Sequence, residues 1–148
     1  MIAVPNSSGT SIPRYKAPPD TCDSHIHIYD RRFAMKWPNL RVVTDASVAE
    51  FRLLQQRLGT ARAVVVQPAA YGTDNAVTLD AVAQLGIANA RGIAVVHPTV
   101  TDTELVAMNK GGIRGLRFTL HEPRTAPIAS AGTCSCTCAP SRSSTWRS

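Results

Sequence analysis

The chain has 148 residues, with 16 Lys and Arg against 10 Asp and Glu, a formal charge of +6, and 44% hydrophobic residues. That apolar fraction is typical of globular proteins and excludes a wholly disordered chain. The length allows one domain, and no apolar run approaches the roughly 18 residues that a membrane helix needs. The composition therefore predicts one soluble domain with no membrane partner.

Location and nucleic-acid binding are judged from the same composition. The first 20 residues contain four prolines and no apolar core of a secretory signal, which predicts a cytoplasmic protein. Lys and Arg are spread along the chain, and no nucleic-acid-binding motif accompanies them. The basic excess is interpreted as a solvated surface, with no nucleic-acid partner.

The first predicted element is a strand over residues 22–29. Polar and apolar side chains alternate along it, which is typical of a strand with one polar face. The alternation predicts that Asp23, His25 and His27 share that face, while Ile26 and Ile28 lie on the other.

Three later segments have the apolar spacing of amphipathic helices. A glycine follows each of them, which is a common way for a helix to end. Each segment also begins at a residue suited to cap a helix. The capping boxes are Ser47 with Glu50 and Thr101 with Glu104, and Asp74 or Asn75 can cap the middle helix.

Further strands are predicted over residues 63–68, 92–98 and 113–120, so that strands and helices alternate along the chain. Strict alternation with short connections indicates an α/β fold with a parallel sheet and right-handed crossovers. Doubly wound sheets and β/α barrels both fit this order. No glycine-rich phosphate loop follows a strand, so a nucleotide-binding function is disfavoured, and the site is expected at the carboxyl ends of the strands.

His25 and His27 are the strongest candidates for chemistry. Two residues apart on a strand, they point the same way and can converge on one metal ion, for which imidazole is a common ligand. The alternative is two histidines bonded to neighbouring carbonyl groups. Asp23 on the same predicted face favours a site.

Other candidates lie where later strands end. Arg117 is predicted to face the interior, where it meets either a substrate carboxylate or an acidic side chain. Gln67 and Tyr71 flank a turn and could bond a substrate, although ordinary loop polarity explains them as well. His97 and His121 are secondary candidates at the same rim.

Three strings carry a family resemblance: CDSHIHIYD at 22–30, VVVQPAAYGTDN at 64–75 and HPTVTDTELVAMNKGGIRGLRFTL at 97–120. Together they resemble the amidohydrolase-related family of TIM-barrel hydrolases, and most closely the branch of lactonases that open 2-pyrone-4,6-dicarboxylate. The resemblance implies a (β/α)8 barrel and water attack on a carboxylated lactone or a related cyclic or amide substrate.

The resemblance also implies roles for individual residues. His25 and His27 would bind a divalent metal that activates a water molecule and polarises the carbonyl group of the substrate. Zinc is the metal that we expect. Some lactonases of this branch work without metal, and there the same histidines polarise the substrate. Arg117 would hold a carboxylate of a small anionic substrate.

The chain departs from this family in length. A (β/α)8 barrel usually needs about 200 residues or more, whereas this sequence predicts four strands with three helices, the N-terminal half of a barrel. The later family strands contribute further histidines and an aspartate general base that have no counterpart here. We therefore expect an incomplete hydrolase site and weak activity. The alternative is a non-catalytic half-barrel scaffold, which could self-associate through its open sheet edge.

The predicted organisation is an extended segment over 1–20, a partial barrel domain over 21–125 and a tail over 126–148. The tail holds Cys134, Cys136 and Cys138 but has no Val or Leu, which predicts disorder. Permitted codons for residues 131–140, read two bases later, give a string that resembles the fifth strand of the family. An out-of-frame deletion is the interpretation of this tail.

Overall fold

The computed structural model describes residues 11–36 and 45–117. Four strands and three α-helices alternate along these residues, as predicted, and a short 3-10 helix (Ala69–Tyr71) follows the second strand. The strands are β1 (Cys22–Ile26), β2 (Arg62–Val66), β3 (Ala90–Val95) and β4 (Ile113–Arg117). The helices are α1 (Val48–Leu58), α2 (Ala76–Leu85) and α3 (Asp102–Lys110).

The four strands form one sheet in the order β1-β2-β3-β4, and each neighbouring pair is parallel. Consecutive parallel strands need a crossover, and a helix lies in each of the three connections. The predicted α/β fold with four parallel strands and three helices is therefore confirmed. Because the strands are parallel, their carboxyl ends lie along the same edge, and the segments that follow them can meet there.

The helix starts follow the predicted caps. Ser47 and Thr101 each accept a hydrogen bond from the backbone N–H of the glutamate three residues later, and both capping boxes are complete. Gly59 ends α1 in the left-handed conformation, with φ of 78°. At α2 the N-cap residue is Asn75, but its side chain makes no capping bond, and Asp74 accepts the Ala76 N–H instead, at 3.1 Å.

The larger core lies between β2 and α2. Val65 is fully buried in β2, and α2 contributes Val77, Ala81 and Val82, each at most 1% exposed. At Gly92 of β3 a Cβ atom would collide with the side chain of Ile113 on β4 and lie 3.2 Å from that of Thr78 on α2, so glycine favours this close approach. The sheet face that carries Val65 and Gly92 is therefore covered by α2.

The structure corrects the predicted β1. Asp23 pairs with Ala63 and Ile26 pairs with Val65, so two residues of β1 lie opposite one residue of β2. This β-bulge breaks the strict alternation, and the register places Asp23 on the side opposite to His27. The prediction that Asp23 shares a face with both histidines is therefore wrong.

Some predicted features lie at or beyond the limits of these elements. The first strand ends at Ile26, and Tyr29 pairs in an antiparallel bridge with Ala46. Residues 118–120 of the predicted fourth strand, His121 and the whole tail over 126–148 lie outside the described residues. Among the residues that are described, no helix is long and apolar enough to cross a membrane.

Candidate functional site

His25 and His27 meet at the carboxyl end of β1. Their Nε2 atoms lie 3.4 Å apart, and the ring planes are perpendicular, with centroids 5.0 Å apart. Ile26 between them pairs with Val65 and so faces α2, which directs both imidazoles to the opposite face of the sheet. The structure thus brings together the two histidines that the sequence singled out.

A backbone carbonyl on the neighbouring strand orients His27. The Nδ1 atom of His27 lies 2.8 Å from the carbonyl oxygen of Val66, the last residue of β2. A carbonyl only accepts, so Nδ1 carries the proton and Nε2 presents a lone pair. Burial lowers the pKa of His27, the charges of His25 and Arg117 lower it further, and the bond to Val66 opposes them. A neutral, fixed imidazole results at neutral pH.

The two imidazoles fit part of a metal site. Two nitrogens bound to one tetrahedral Zn²⁺ at about 2.0–2.1 Å are about 3.3–3.4 Å apart, and the two Nε2 atoms are separated by 3.4 Å. A carbonyl that fixes the other ring nitrogen is also the usual outer partner of a histidine ligand. Within residues 11–36 and 45–117, however, no group of three or more His, Cys, Asp or Glu side chains is arranged to hold a metal. The described residues therefore supply two metal donors.

Arg117 ends β4 on the same face of the sheet. It pairs with Val95, which lies three residues after Gly92 and so faces away from α2. His27 faces the same way, and the charge of Arg117 lowers its pKa across the sheet. The predicted inward direction of Arg117 agrees with this register, and its role towards an anion stays a prediction.

The structure gives Gln67 a role inside the protein. Its side chain is fully buried, and its amide nitrogen donates to the carbonyl groups of Gly72 and Asp74 at 3.2 and 2.7 Å. Its amide oxygen accepts the hydroxyl of Thr78 on α2 at 2.6 Å. Gln67 therefore shapes the turn after β2 from within, and the predicted substrate contact stays a prediction.

Tyr71 lies in the same turn and is 1% exposed. Its hydroxyl accepts the backbone N–H of Asp30 at 2.9 Å and donates to the carbonyl of Asp30 at 3.1 Å. Burial raises the pKa of this phenol, which keeps its proton on the oxygen at neutral pH. Tyr71 thus ties the turn after β2 to the segment after β1, and its predicted contact with a substrate also stays a prediction.

Asn75 is a buried polar residue whose role the sequence did not indicate beyond a possible helix cap. Its side-chain amide donates to the carbonyl of Val95 at 2.8 Å and accepts the Val95 N–H at 2.9 Å. The Asn75 amide thus bonds the N–H and the carbonyl of Val95 as a neighbouring strand would, at the end of β3. Because Val95 pairs with Arg117, Asn75 supports the strand end beside that arginine.

Charged and exposed groups complete the rim. Arg32 pairs with Asp30 at 2.7 Å and with Asp80 of α2 at 2.8 Å, so the segment after β1 is also anchored to a helix. The hydrogen bonds to Arg32 lower the pKa of Asp30. His97 is exposed, and its Nδ1 atom lies 2.8 Å from the hydroxyl of Thr99. Its hydrogen-bond partner is therefore a residue of its own loop and not one of the two histidines.

Comparison with known proteins places this geometry in a family. The family model described as amidohydrolase matches residues 22–131. A 2-pyrone-4,6-dicarboxylate hydrolase of Comamonas testosteroni is 37% identical over 110 residues, and a 4-sulfomuconolactone hydrolase of Rhizobium radiobacter is 32% identical over 109 residues. These matches cover 73% and 72% of this chain but 36% of each relative, so the chain spans about a third of their length.

Solved structures give the same result for the fold. A protein of Acinetobacter baumannii, assigned as a 2-pyrone-4,6-dicarboxylic acid hydrolase and crystallised with citric acid, is 31% identical with a TM-score of 0.59. An Agrobacterium tumefaciens protein without ligand is 26% identical with a TM-score of 0.65. The similarity covers 66% and 71% of this chain and 37% of each structure, so the four strands correspond to part of a TIM barrel. The chain therefore belongs to the amidohydrolase family.

Proposed function

We propose that the carboxyl-terminal edge of this sheet is part of a hydrolase site that directs water at the carbonyl group of a carboxylated lactone. The approach of the His25 and His27 Nε2 atoms to 3.4 Å carries the proposal. The relatives support the substrate class, because both are named as hydrolases of a cyclic ester that bears an anionic group.

The reaction is ester hydrolysis within a ring. The oxygen of water bonds to the carbonyl carbon, the bond from that carbon to the ring oxygen breaks, and the ring oxygen takes up a proton. His27 suits this chemistry because its pKa is lowered and Val66 holds its Nδ1 proton, which leaves Nε2 as an acceptor towards water or substrate. The Nε2 atom of His25 lies 3.4 Å from this acceptor, within hydrogen-bond distance.

A divalent metal is part of this proposal, and zinc suits two imidazole donors best. His25 and His27 would hold it, because their Nε2 separation fits adjacent ligand positions. When bound, such an ion lowers the pKa of a water molecule towards about 7 and polarises a carbonyl group. In the metal-free form of the proposal His25 would donate from Nε2 to the substrate carbonyl, and the Nε2 lone pair of His27 would accept a proton from the attacking water.

Arg117 is proposed to hold an anionic group of the substrate. It shares the sheet face of His25 and His27, and a planar guanidinium can bond a carboxylate with two parallel hydrogen bonds. The Acinetobacter baumannii relative was crystallised with citric acid, a molecule that carries carboxylate groups of the proposed kind. The proposed partner is therefore a small dicarboxylate or similar anion.

The histidine proposal is tested by replacing both residues. We expect His25→Ala/His27→Ala to abolish Zn²⁺ binding by the 148-residue chain in calorimetry. The matching double change in the Comamonas testosteroni hydrolase should lower kcat/KM on 2-pyrone-4,6-dicarboxylate at least about 100-fold. His97→Ala is the matched control because His97 is exposed and bonded to Thr99. An unchanged hydrolysis rate in the double variant would contradict the proposal.

The arginine proposal is tested separately. We expect Arg117→Met, made at the matching position of the same hydrolase, to raise KM for the dicarboxylate lactone about 10-fold to 100-fold, with a smaller effect on kcat. Arg114→Met is the control, since Arg114 is on the same strand but exposed and bonded to Asn109. Equal KM values for the two variants would leave Arg117 as an internal ion-pair residue.

The second candidate function is a non-catalytic half-barrel scaffold. It is favoured by the coverage of about a third of the relatives and by the two metal donors that the described residues supply. In the described part of the chain β1 pairs only with β2 and β4 only with β3, so self-association through these edges is proposed. Concentration-dependent mass in sedimentation, without Zn²⁺ uptake or hydrolysis, would favour the scaffold.

A cytoplasmic location stays a prediction.

A further inference from the structure

The segment that follows β1 is held at successive points. His27 bonds the Val66 carbonyl through its ring, and Tyr29 exchanges two backbone hydrogen bonds with Ala46 at 3.0 and 2.9 Å. The backbone N–H and the backbone carbonyl of Asp30 both form hydrogen bonds with the hydroxyl of Tyr71. The Asp30 carbonyl also accepts the Phe33 N–H at 3.0 Å, and Arg32 links the Asp30 carboxylate to Asp80. Both bonds between Asp30 and the turn after β2, however, depend on the single side-chain oxygen of Tyr71.

That oxygen belongs to a residue in a rigid setting. Tyr71 is 1% exposed, and its ring centroid lies 6.2 Å from that of Tyr29, which lies 6.3 Å from the ring of His27. Gln67 holds the turn around Tyr71 through the carbonyl groups of Gly72 and Asp74. The turn therefore holds the Tyr71 hydroxyl against Asp30, which lies three residues after His27 in the chain.

We propose that Tyr71 is a positioning residue for the His25–His27 pair, acting through the backbone of Asp30. This inference rests on the proposed function, in which that pair binds a metal or polarises the substrate. The Tyr71 hydroxyl bonds the backbone N–H and the carbonyl of Asp30. Tyr71 therefore acts on the histidine pair through Asp30 and not by contact with the substrate. Its raised pKa agrees with this role, because the phenol must keep its proton to donate to the Asp30 carbonyl.

Tyr71→Phe removes this one oxygen and keeps the ring. Tyr15→Phe is the matched control, because Tyr15 is 80% exposed. Val82→Ala is a second control, which destabilises the core that α2 shares with the sheet but leaves both Tyr71–Asp30 hydrogen bonds in place. All three variants are made in the 148-residue chain and compared by two measurements on the histidines.

The first measurement is the NMR order parameter of the two imidazole Cε1–H bonds, and the second is the affinity for Co²⁺, read from its visible absorption. We expect Tyr71→Phe to lower the order parameters of both rings and to raise the Co²⁺ dissociation constant about tenfold, the lower end of the range for outer partners of ligands. Tyr15→Phe and Val82→Ala should leave both quantities at the wild-type values.

The outcomes separate this inference from the proposed function. If Tyr71→Phe matches the wild type in both measurements while His25→Ala/His27→Ala loses Co²⁺, the positioning role is wrong and the metal site stands. If Val82→Ala disorders the rings as much as Tyr71→Phe does, Tyr71 is a fold residue and the inference is overturned.

Two further results are also decisive. If the wild-type chain takes up no Co²⁺, the metal form of the proposed function fails, and the ring order parameters alone decide the role of Tyr71. If Tyr71→Phe does not fold, 4-aminophenylalanine at position 71 replaces it, since that residue keeps a donor but is a poor acceptor for the Asp30 N–H. A smaller loss of ring order in the same direction supports the inference, and wild-type order overturns it.

Discussion

The helices α2 and α3 differ both in how they begin and in how many residues they bury. The N-cap of α3 has a complete capping box, whereas the N-cap side chain of α2 makes no capping bond. Yet α2 buries four of its residues, and α3 buries none, with Val106 of α3 53% exposed. A complete cap therefore does not determine how much of a helix is buried, which depends on the layers that surround the helix.

The same contrast runs through the sheet. Within residues 11–36 and 45–117, the core cluster around β2 and α2 joins eleven buried residues, whereas the cluster beside β4 joins three, Ala94, Val96 and Ile113. The turn between β2 and α2 also contains three residues whose side chains form hydrogen bonds with backbone groups: Gln67, Tyr71 and Asn75. We infer that stability and site geometry are both concentrated on the side of α2.

The largest expected effect is the loss of the buried amide of Gln67. Gln67→Leu keeps the volume but leaves the Gly72 and Asp74 carbonyls and the Thr78 hydroxyl without this partner. Buried groups left unpaired cost about 1–3 kcal/mol each, and partial access to water reduces the sum to roughly 3 kcal/mol. Urea unfolding of the variant measures this loss in the free energy of unfolding.

The control for this change is an exposed glutamine on α1. Gln56→Leu should alter the free energy of unfolding by less than about 0.5 kcal/mol, because Gln56 is solvent-exposed. Similar values for Gln67→Leu and Gln56→Leu would show that the turn after β2 does not depend on its internal amide.

A second pair of substitutions compares the two helices directly. Val82→Ala removes two methyl groups from a fully buried side chain of α2, and we expect a loss of about 2 kcal/mol in the free energy of unfolding. Val106→Ala makes the same chemical change on α3, where the side chain is half exposed, and should cost less than about 0.5 kcal/mol. Equal losses would mean that α3 packs as tightly as α2.

The sequence predicted the elements well because their signals are local. The capping boxes at Ser47 and Thr101 and the glycines that follow the helices depend only on neighbouring residues. The bulge in β1 depends on how that strand pairs with β2, so strict alternation misplaced Asp23. Register is a property of two strands, and one strand's pattern cannot contain it.

The candidate site shows the same limit. The HxH spacing of His25 and His27 was sufficient to predict that they point together, and the structure confirms their approach. The sequence could not show that Tyr71 reaches Asp30 or that Asn75 reaches Val95, because those partners are 41 and 20 residues away. Polar residues beside a strand end look the same in sequence whether they meet a ligand or a distant backbone group.

The smallest expected effect is the pH dependence of α3, which tests how far this helix relies on its cap. The backbone N–H and the hydroxyl of Thr101 both donate to the Glu104 carboxylate, at 2.8 and 2.7 Å, and they lower the pKa of Glu104 below its ordinary value of 4.5. A folded-state pKa below the unfolded value means that the ionised carboxylate stabilises the helix start above about pH 4.5. That contribution is lost as the pH falls below 4.5 and through the folded-state pKa.

We therefore expect the Thr101 amide resonance to lose its hydrogen-bonded shift, and the α3 amides to lose part of their exchange protection, below pH 4.5. Glu104→Gln is the matched control, because a glutamine can complete a capping box but does not titrate there. In that variant the acid-dependent change should disappear while α3 keeps its protection at neutral pH. Because no residue of α3 is buried, little packing can mask the loss of the cap, and the change should be visible locally without global unfolding. The same acid-dependent change in Glu104→Gln would show that another group on this side of the sheet controls α3.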